Sequence, residues 1–249
     1  MINIQPVIPQ GCPASSLDGP FNTWITDLFQ DKAAFDRKDV PIFKFSSITA
    51  YYERHLYLVT MLFRNGLGAA HDSKSPIQNG YLFDSIYKGW YLSVCKRLLG
   101  PRFQKKPIRQ PFSMAFLDVE GSRHHQAASV FQTPHIHSLL LIPPASADQF
   151  RQLTKSGILT MSEDPRISTI DVQPFRDQGR SANPMMTYAA KYARDTIGDD
   201  RLDKAWSVFP DLNSDLYPFY GSTRLGLHRM AQVRQQKPNR DHSCSSRSS

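Results

Sequence analysis

The sequence is short of cysteine, of long apolar runs and of acidic charge, and each shortage narrows what the chain can be. Its three cysteines, Cys12, Cys95 and Cys244, are scattered, with no CxxC pair and no even set. A disulfide framework or a thiolate metal site is therefore not expected, and a reduced, cytoplasmic chain is. No run of about 18 apolar residues is present, so no membrane-spanning helix and no membrane partner is expected. The opening MINIQPVIPQGCP lacks the basic-then-apolar layout of a signal peptide. No GxxxxGK[ST] stretch occurs, so any helicase has to come from a separate protein. No internal repeat is visible. Acidic residues number 22 against 30 Lys and Arg, a net charge of +8 and a pI near 9.4. Such a field attracts polyanions, chiefly nucleic acid or an anionic membrane surface.

What is present suffices for a core. The 249 residues are 40% hydrophobic and 11% aromatic, which fits one large domain or one domain with an extension. Residues 1–20, rich in Pro, Gly and Ser, read as a loose arm. From Ser46 the spacing of Ile48, Tyr52, Leu56, Val59 and Phe63 predicts a helix stopping at Gly66. A second helix carries Phe83, Ile86, Tyr87, Trp90, Val94 and Leu98, with Lys96 and Arg97 in its last turn and Gly100-Pro101 ending it. These aromatic stripes read as core. Residues 111–121 and 135–143 are short, apolar and strand-like. Ser146 and Gln149 have capping-box spacing and open a short helix that stops at Gly157. Residues 166–175 alternate like a strand, and Asn183-Pro184 opens a helix through Met185, Tyr188, Ala189, Tyr192 and Ala193. Two consecutive strands with a short link imply an antiparallel pair, hence an α+β layout rather than a doubly wound one. The last twenty residues read as a disordered basic tail.

The first chemical feature is His135-Ile136-His137 at the start of a strand. Strand alternation sends both imidazoles to one face, and two imidazoles on a rigid strand make a metal clamp. If strands 113–120 and 135–142 pair antiparallel, Asp118 and Glu120 fall near the histidines. Their parity is the same, so strand direction does not choose between them. A carboxylate with two neutral imidazoles suits Mg²⁺, Mn²⁺ or Zn²⁺ and leaves positions open for a phosphate oxygen. His124 and His125 lie in the polar connection and read as exposed. The second feature is Tyr188-Ala-Ala-Lys191-Tyr192, where a helix puts the tyrosines one turn apart on one face with Lys191 beside them. A phenol can attack a phosphodiester and hold the DNA end covalently. With a reference pKa near 10 it needs activation by a metal or a cation such as Lys191. The bland alternative is an amphipathic helix with tyrosines packed on a sheet. Arg97, Arg102, Lys105, Lys106 and Arg109 lie within thirteen residues just before the first of these strands. They read as a nucleic-acid contact or, ordinarily, as a solvated loop.

Taken together, HIHSLLLI resembles the His-hydrophobic-His motif of rolling-circle replication initiators of the HUH endonuclease superfamily. VQPF and MMTYAAKYARD resemble the strand and tyrosine helix that follow it there. The match covers roughly residues 84–200. It implies an antiparallel sheet of about five strands flanked by helices, with the metal on the sheet and the tyrosine helix across it. It implies His135 and His137 as metal ligands with Glu120 as third, a Mg²⁺ or Mn²⁺ cofactor, and Tyr188 as nucleophile assisted by Lys191. Tyr-x-x-Lys-Tyr is similar to initiators of small single-stranded DNA phages, which alternate two tyrosines, and makes Tyr192 a candidate second nucleophile. Two departures stand out: FLDVE replaces the usual Phe-Leu-Thr-like strand, and Tyr192 is followed three residues later by Asp195, not Lys.

The implied activity is nicking and joining of single-stranded DNA at a plasmid or phage replication origin through a 5′-phosphotyrosine, with Arg102, Lys105, Lys106 and Arg109 on the DNA. Helicase and polymerase would be separate host or element proteins. A relaxase or transposase of the same chemistry, and a catalytically idle DNA-binding repressor of the same fold, are the alternatives. A cupin would carry Glu where Leu140 and Leu141 stand, and a two-histidine phosphoesterase would need a second His-x-Ser/Thr. The expected domains are an N-terminal arm and helical extension over 1–82, the endonuclease core over 83–228, and the tail over 229–249.

Overall fold

The structure, a computed structural model, describes residues 18–38, 47–64, 80–119, 134–176, 185–186, 188–189 and 206–210. Helix α1 (Asp18–Lys38) and helix α2 (Ile48–His55) lead into strand β1 (Leu56–Phe63), and α3 (Gly80–Leu99) precedes β2 (Phe112–Val119) and β3 (Pro134–Leu141). Helix α4 (Ala147–Lys155), strand β4 (Ile167–Pro174) and a short β5 (Trp206–Phe209) complete the described elements. The strands form one open five-stranded sheet in the order β4-β1-β3-β2-β5, with every neighbouring pair antiparallel. The expected α+β class and the antiparallel β2–β3 pair are both present.

Strand β3 lies at the centre, which explains its apolar run. Leu139 and Leu141 point into one core and Leu140 and Ile142 into the other, all fully buried. A strand covered on both faces shows no polar alternation. Truncating one of these leucines to Ala would cost about 2–5 kcal/mol. On one face α3 and α4 pack through Phe83, Tyr87, Tyr91, Val94 and Phe150 against Val59, Met61, Leu117 and Ile136. On the other, α1 and α2 pack through Trp24, Ile25, Leu28, Phe29 and Tyr51 against Phe112, Met114 and Phe116.

The helix expected from Ser46 to Gly66 ends at His55, and its second half is β1. Tyr57, Val59, Met61 and Phe63 enter one core while Leu56 and Leu58 face the other. With both faces apolar there was no period-2 signal. A four-residue step such as Val59 to Phe63 returns to one face of a helix or a strand alike. Composition was the better guide, since Leu-Tyr-Leu-Val-Thr-Met-Leu-Phe suits a pleated, buried surface. This also overturns the boundary at residue 82. Strand β1 sits between β4 and β3 inside the sheet, and α1 is part of the core, so neither is an appended extension.

Other local expectations fared variously. Helices α3 and α4 and strand β4 lie where the pattern placed them, and Gly100 and Gly157 adopt positive φ of 80° and 76° at the helix ends. The Ser146–Gln149 capping box does not form. Ser146 makes no side-chain cap, and Gln149 Nε2 instead donates to the carbonyl of Arg97 at 3.0 Å. Strand β5 was not anticipated. Residues 1–17 of the arm, the basic tail, His124, His125 and Asn183-Pro184 lie outside the described residues, while residues 18–20, expected in the loose arm, begin α1. No helix among the described residues is long and apolar enough to cross a membrane.

Candidate metal centre

Antiparallel register assembles the site. Asp118 on β2 stands opposite His135 on β3, and on the other side His135 stands opposite Leu62 of β1. Two residues along β3, His137 stands between Phe116 and Thr60. Alternation puts His135, His137 and Asp118 on the face that also carries Phe116, Leu139 and Leu141, the face covered by α1 and α2. The strands hold these side chains rigidly, because the opposite faces of the same strands are fully packed.

Three donor atoms converge. His135 Nε2 and His137 Nε2 are 3.2 Å apart, and each lies 3.3 Å from Asp118 Oδ2. Ligands at about 2.1 Å from a common ion are about 3.0 Å apart in an octahedron and about 3.4 Å apart in a tetrahedron. The triangle has the edge lengths of one face of such a polyhedron. Burial grades across it: the side chains of Asp118, His137 and His135 are 0%, 5% and 14% exposed. The carboxylate is thus the floor, and His135 is the side nearest solvent. Among the described residues this buried Asp/His/His group is the one that can hold a metal ion. Three protein donors on one face leave further positions free for water or a phosphate oxygen.

The second ring nitrogen of His137 is held as well. Its Nδ1 lies 3.1 Å from Thr60 Oγ1. In the tautomer with Nε2 free to bind an ion, Nδ1–H donates to the threonine hydroxyl, which fixes the ring plane. Tyr188 completes the group: its ring centroid is 5.0 Å from that of His137, tilted by 53°. Met185, Met186, Tyr188 and Ala189 are helical. Met186 and Ala189 are buried in the core beside α1, where Met186 Sδ lies 3.9 Å from Thr26 Oγ1. The tyrosine backbone is therefore seated against α1, and its half-buried side chain lies over the metal-ligand row.

The structure thus brings together His135, His137 and Tyr188 of the expected site residues. The carboxylate it brings is Asp118, one of the two acids of matching parity. Glu120, the third ligand implied by the resemblance, lies outside the described residues, as do Lys191 and Tyr192. An acid inside the apolar strand FSMAFLDV was the available signal, because every described neighbour from Phe112 to Leu117 is buried. Thr60 was missed because its strand was read as a helix. Arg102, Lys105, Lys106 and Arg109 are exposed and do not join the site. They precede Phe112, which pairs with Leu141 at the far end of the sheet, whereas Asp118 pairs with His135. Comparison with family models, with curated proteins and with solved structures returns no match.

Proposed function

We propose that this chain is a metal-dependent enzyme of the HUH endonuclease type that nicks and rejoins single-stranded DNA, serving as a rolling-circle replication initiator of a plasmid or phage. The observation that supports this most directly is the contact between the Tyr188 ring and His137 of the buried Asp118–His135–His137 triangle. A tyrosine packed on a sheet needs no metal-ligand triangle beneath it, and a metal triangle for structure alone is ordinarily closed by a fourth protein donor.

In this reading Asp118, His135 and His137 hold a divalent cation, and Thr60 fixes the ring of His137. When bound, the cation withdraws charge from a non-bridging oxygen of the scissile phosphate. The Tyr188 phenol oxygen attacks phosphorus and forms a new P–O bond. The bond from phosphorus to the 3′ oxygen of the preceding nucleotide breaks, and the phenol proton ends, through solvent or a neighbouring base, on that oxygen. One phosphodiester replaces another, leaving a 5′-phosphotyrosine and a free 3′-OH. Because the adduct keeps a phosphodiester linkage, attack by a 3′-OH rejoins the strand. Lys191 would neutralise charge developing on the phosphate, and Tyr192 would serve as a second nucleophile if the two alternate.

The test is incubation with a pool of single-stranded oligonucleotides and Mg²⁺ or Mn²⁺, followed by a denaturing gel. A DNA-shifted protein band is expected, lost in Tyr188→Phe while non-covalent binding survives. If the tyrosines alternate, only the Tyr188→Phe, Tyr192→Phe double variant is dead. Peptide mapping that finds phosphotyrosine at neither position overturns the mechanism. Binding with no adduct under any metal points to the idle repressor instead.

A further inference from the structure

Helix α1 carries two charged residues on its buried face. Its buried positions form two rows at four-residue steps, 24, 28, 32 and 36 in one and 25, 29 and 33 in the other. Trp24, Ile25, Leu28, Phe29 and Ala33 fill five of them, and Lys32 and Asp36 fill the other two at 1% and 7% exposed. Lys32 Nζ donates to Asp36 Oδ1, and the fully buried Tyr51 hydroxyl of α2 donates to Asp36 Oδ2 at 3.1 Å. Lys32 Nζ also lies 5.7 Å from the centroid of the Phe35 ring.

Such a buried pair gives little net stability, because the cost of desolvation offsets the attraction. What it supplies is position. An apolar row that repeats every four residues fits its bed nearly as well after a slide of one turn, about 5.4 Å. Charges on the row remove that freedom. A slide toward the amino end carries Lys32 into the apolar place of Leu28, a slide the other way takes Asp36 past Tyr51, and either breaks the tie between the helices.

The other half of α1 is where the tyrosine helix sits. Met186, two residues before Tyr188, has its Sδ 3.9 Å from Thr26 Oγ1. Trp24 meets Trp206 edge-on with centroids 5.0 Å apart, and Phe29 meets Phe112 at 4.9 Å. Trp206 stands opposite Phe116 on the sheet, and Phe116 stands opposite His137. Where α1 lies along its axis therefore sets where Met186 rests, and with it how the Tyr188 ring meets His137.

We infer that Lys32, Asp36 and Tyr51 are positioning residues for the Tyr188 nucleophile: by fixing α1 along its axis they fix the seat of the tyrosine helix over the metal-ligand row. The role of Tyr188 as nucleophile rests on the nicking reading above, whereas its placement by α1 does not.

The test uses the full chain with 3-fluorotyrosine at position 188, in the wild-type background, in Tyr51→Phe, and in the triple variant Lys32→Met, Asp36→Leu, Tyr51→Phe. The triple variant replaces the cluster by apolar side chains of similar size, so it should melt at or above the wild-type temperature. Its fluorine signal in chelator is expected to shift or split as the ring leaves its place beside His137, and Mn²⁺ should broaden it less. Mn²⁺ affinity by calorimetry and KM should stay those of the wild-type chain. The kcat for the oligonucleotide that forms the adduct should fall, by about 100-fold for a displacement of about 1 Å. Tyr51→Phe keeps the ion pair and loses only the tie to α2, and its signal should move in the same sense. Met186→Ala breaks the path at its other end, so adding it to the triple variant should lower kcat no further. An unmoved fluorine signal in the folded triple variant overturns the inference, as does a loss of Mn²⁺ affinity as large as the loss of kcat. If the triple variant does not fold, Tyr51→Phe decides: a moved signal supports the positioning role, and a wild-type signal overturns it. If the wild-type chain forms no adduct while the signal still moves in the variants, the nicking reading falls and the placement of Tyr188 by α1 stands.

Discussion

Thr60 Oγ1 on β1 and His137 Nδ1 on β3 lie 3.1 Å apart across a register pair of the sheet. The hydroxyl acts on a metal only through the imidazole, so it is a positioning residue. Thr60→Val removes the oxygen and keeps the shape, and Thr60→Ser keeps the oxygen. The Val variant should bind Mn²⁺ about 10- to 100-fold more weakly, the usual effect of losing the partner of a ligating histidine. The Ser variant should bind close to wild type. Calorimetric titration of Mn²⁺ gives both values, and the melting temperature of the metal-free variants shows whether packing changed. Equal affinities in the Val variant and wild type would remove Thr60 from the site.

That residue also shows where the sequence was and was not legible. His135-Ile136-His137 could be placed because HxH on a strand needs only the period of two, and the β2–β3 pairing needed only two apolar runs with a polar link. Thr60 required knowing that β1 is a strand and that it inserts between β4 and β3. Neither is encoded locally, since both faces of β1 carry apolar residues and its partners are distant in sequence. The basic loop was visible as composition. Its position at the opposite end of the sheet follows from the direction of β2, so nearness in sequence to the strand is not nearness to the site.

The choice between Asp118 and Glu120 can be read directly. Asp118 Oδ2 is 3.3 Å from both imidazoles, and its side chain is fully buried. Asp118→Asn should weaken Mn²⁺ by more than Thr60→Val does, since it removes the only negative charge of the triangle and puts a weakly ligating amide in place of the carboxylate. A ligand that binds the folded chain raises its stability by about 2.7 kcal/mol at a hundredfold excess over Kd. The wild-type chain should therefore melt higher with Mn²⁺ than with a chelator, Glu120→Gln should keep that shift, and Asp118→Asn should lose it. The reverse pattern would hand the third position to Glu120.

His55 carries a pH prediction separate from the metal site. It ends α2, stacks on Tyr51 with centroids 4.4 Å apart, and its Nδ1 lies 3.0 Å from the carbonyl of Ile142. Burial, chiefly, pushes its pKa down to about 4, with Arg151 and Arg54 adding to the shift and the Ile142 carbonyl and Asp148 opposing it. The folded chain thus holds the ring neutral, while the unfolded chain protonates it below about 6.5. The unfolded state then binds the extra proton, so stability is full above about pH 6.5 and declines as pH falls toward 4. The shift corresponds to a loss of about 3 kcal/mol. In His55→Asn the amide NH₂ can still donate to Ile142 and nothing titrates, so that slope should be absent even though the variant starts from lower stability. Urea unfolding at pH 7.5, 6 and 5 in chelator, so that metal binding does not contribute to the pH dependence, compares the two. Parallel curves for the variant and the wild-type chain would mean that the buried ring is not the acid-sensitive group, and that the α2–β1 junction tolerates its charge.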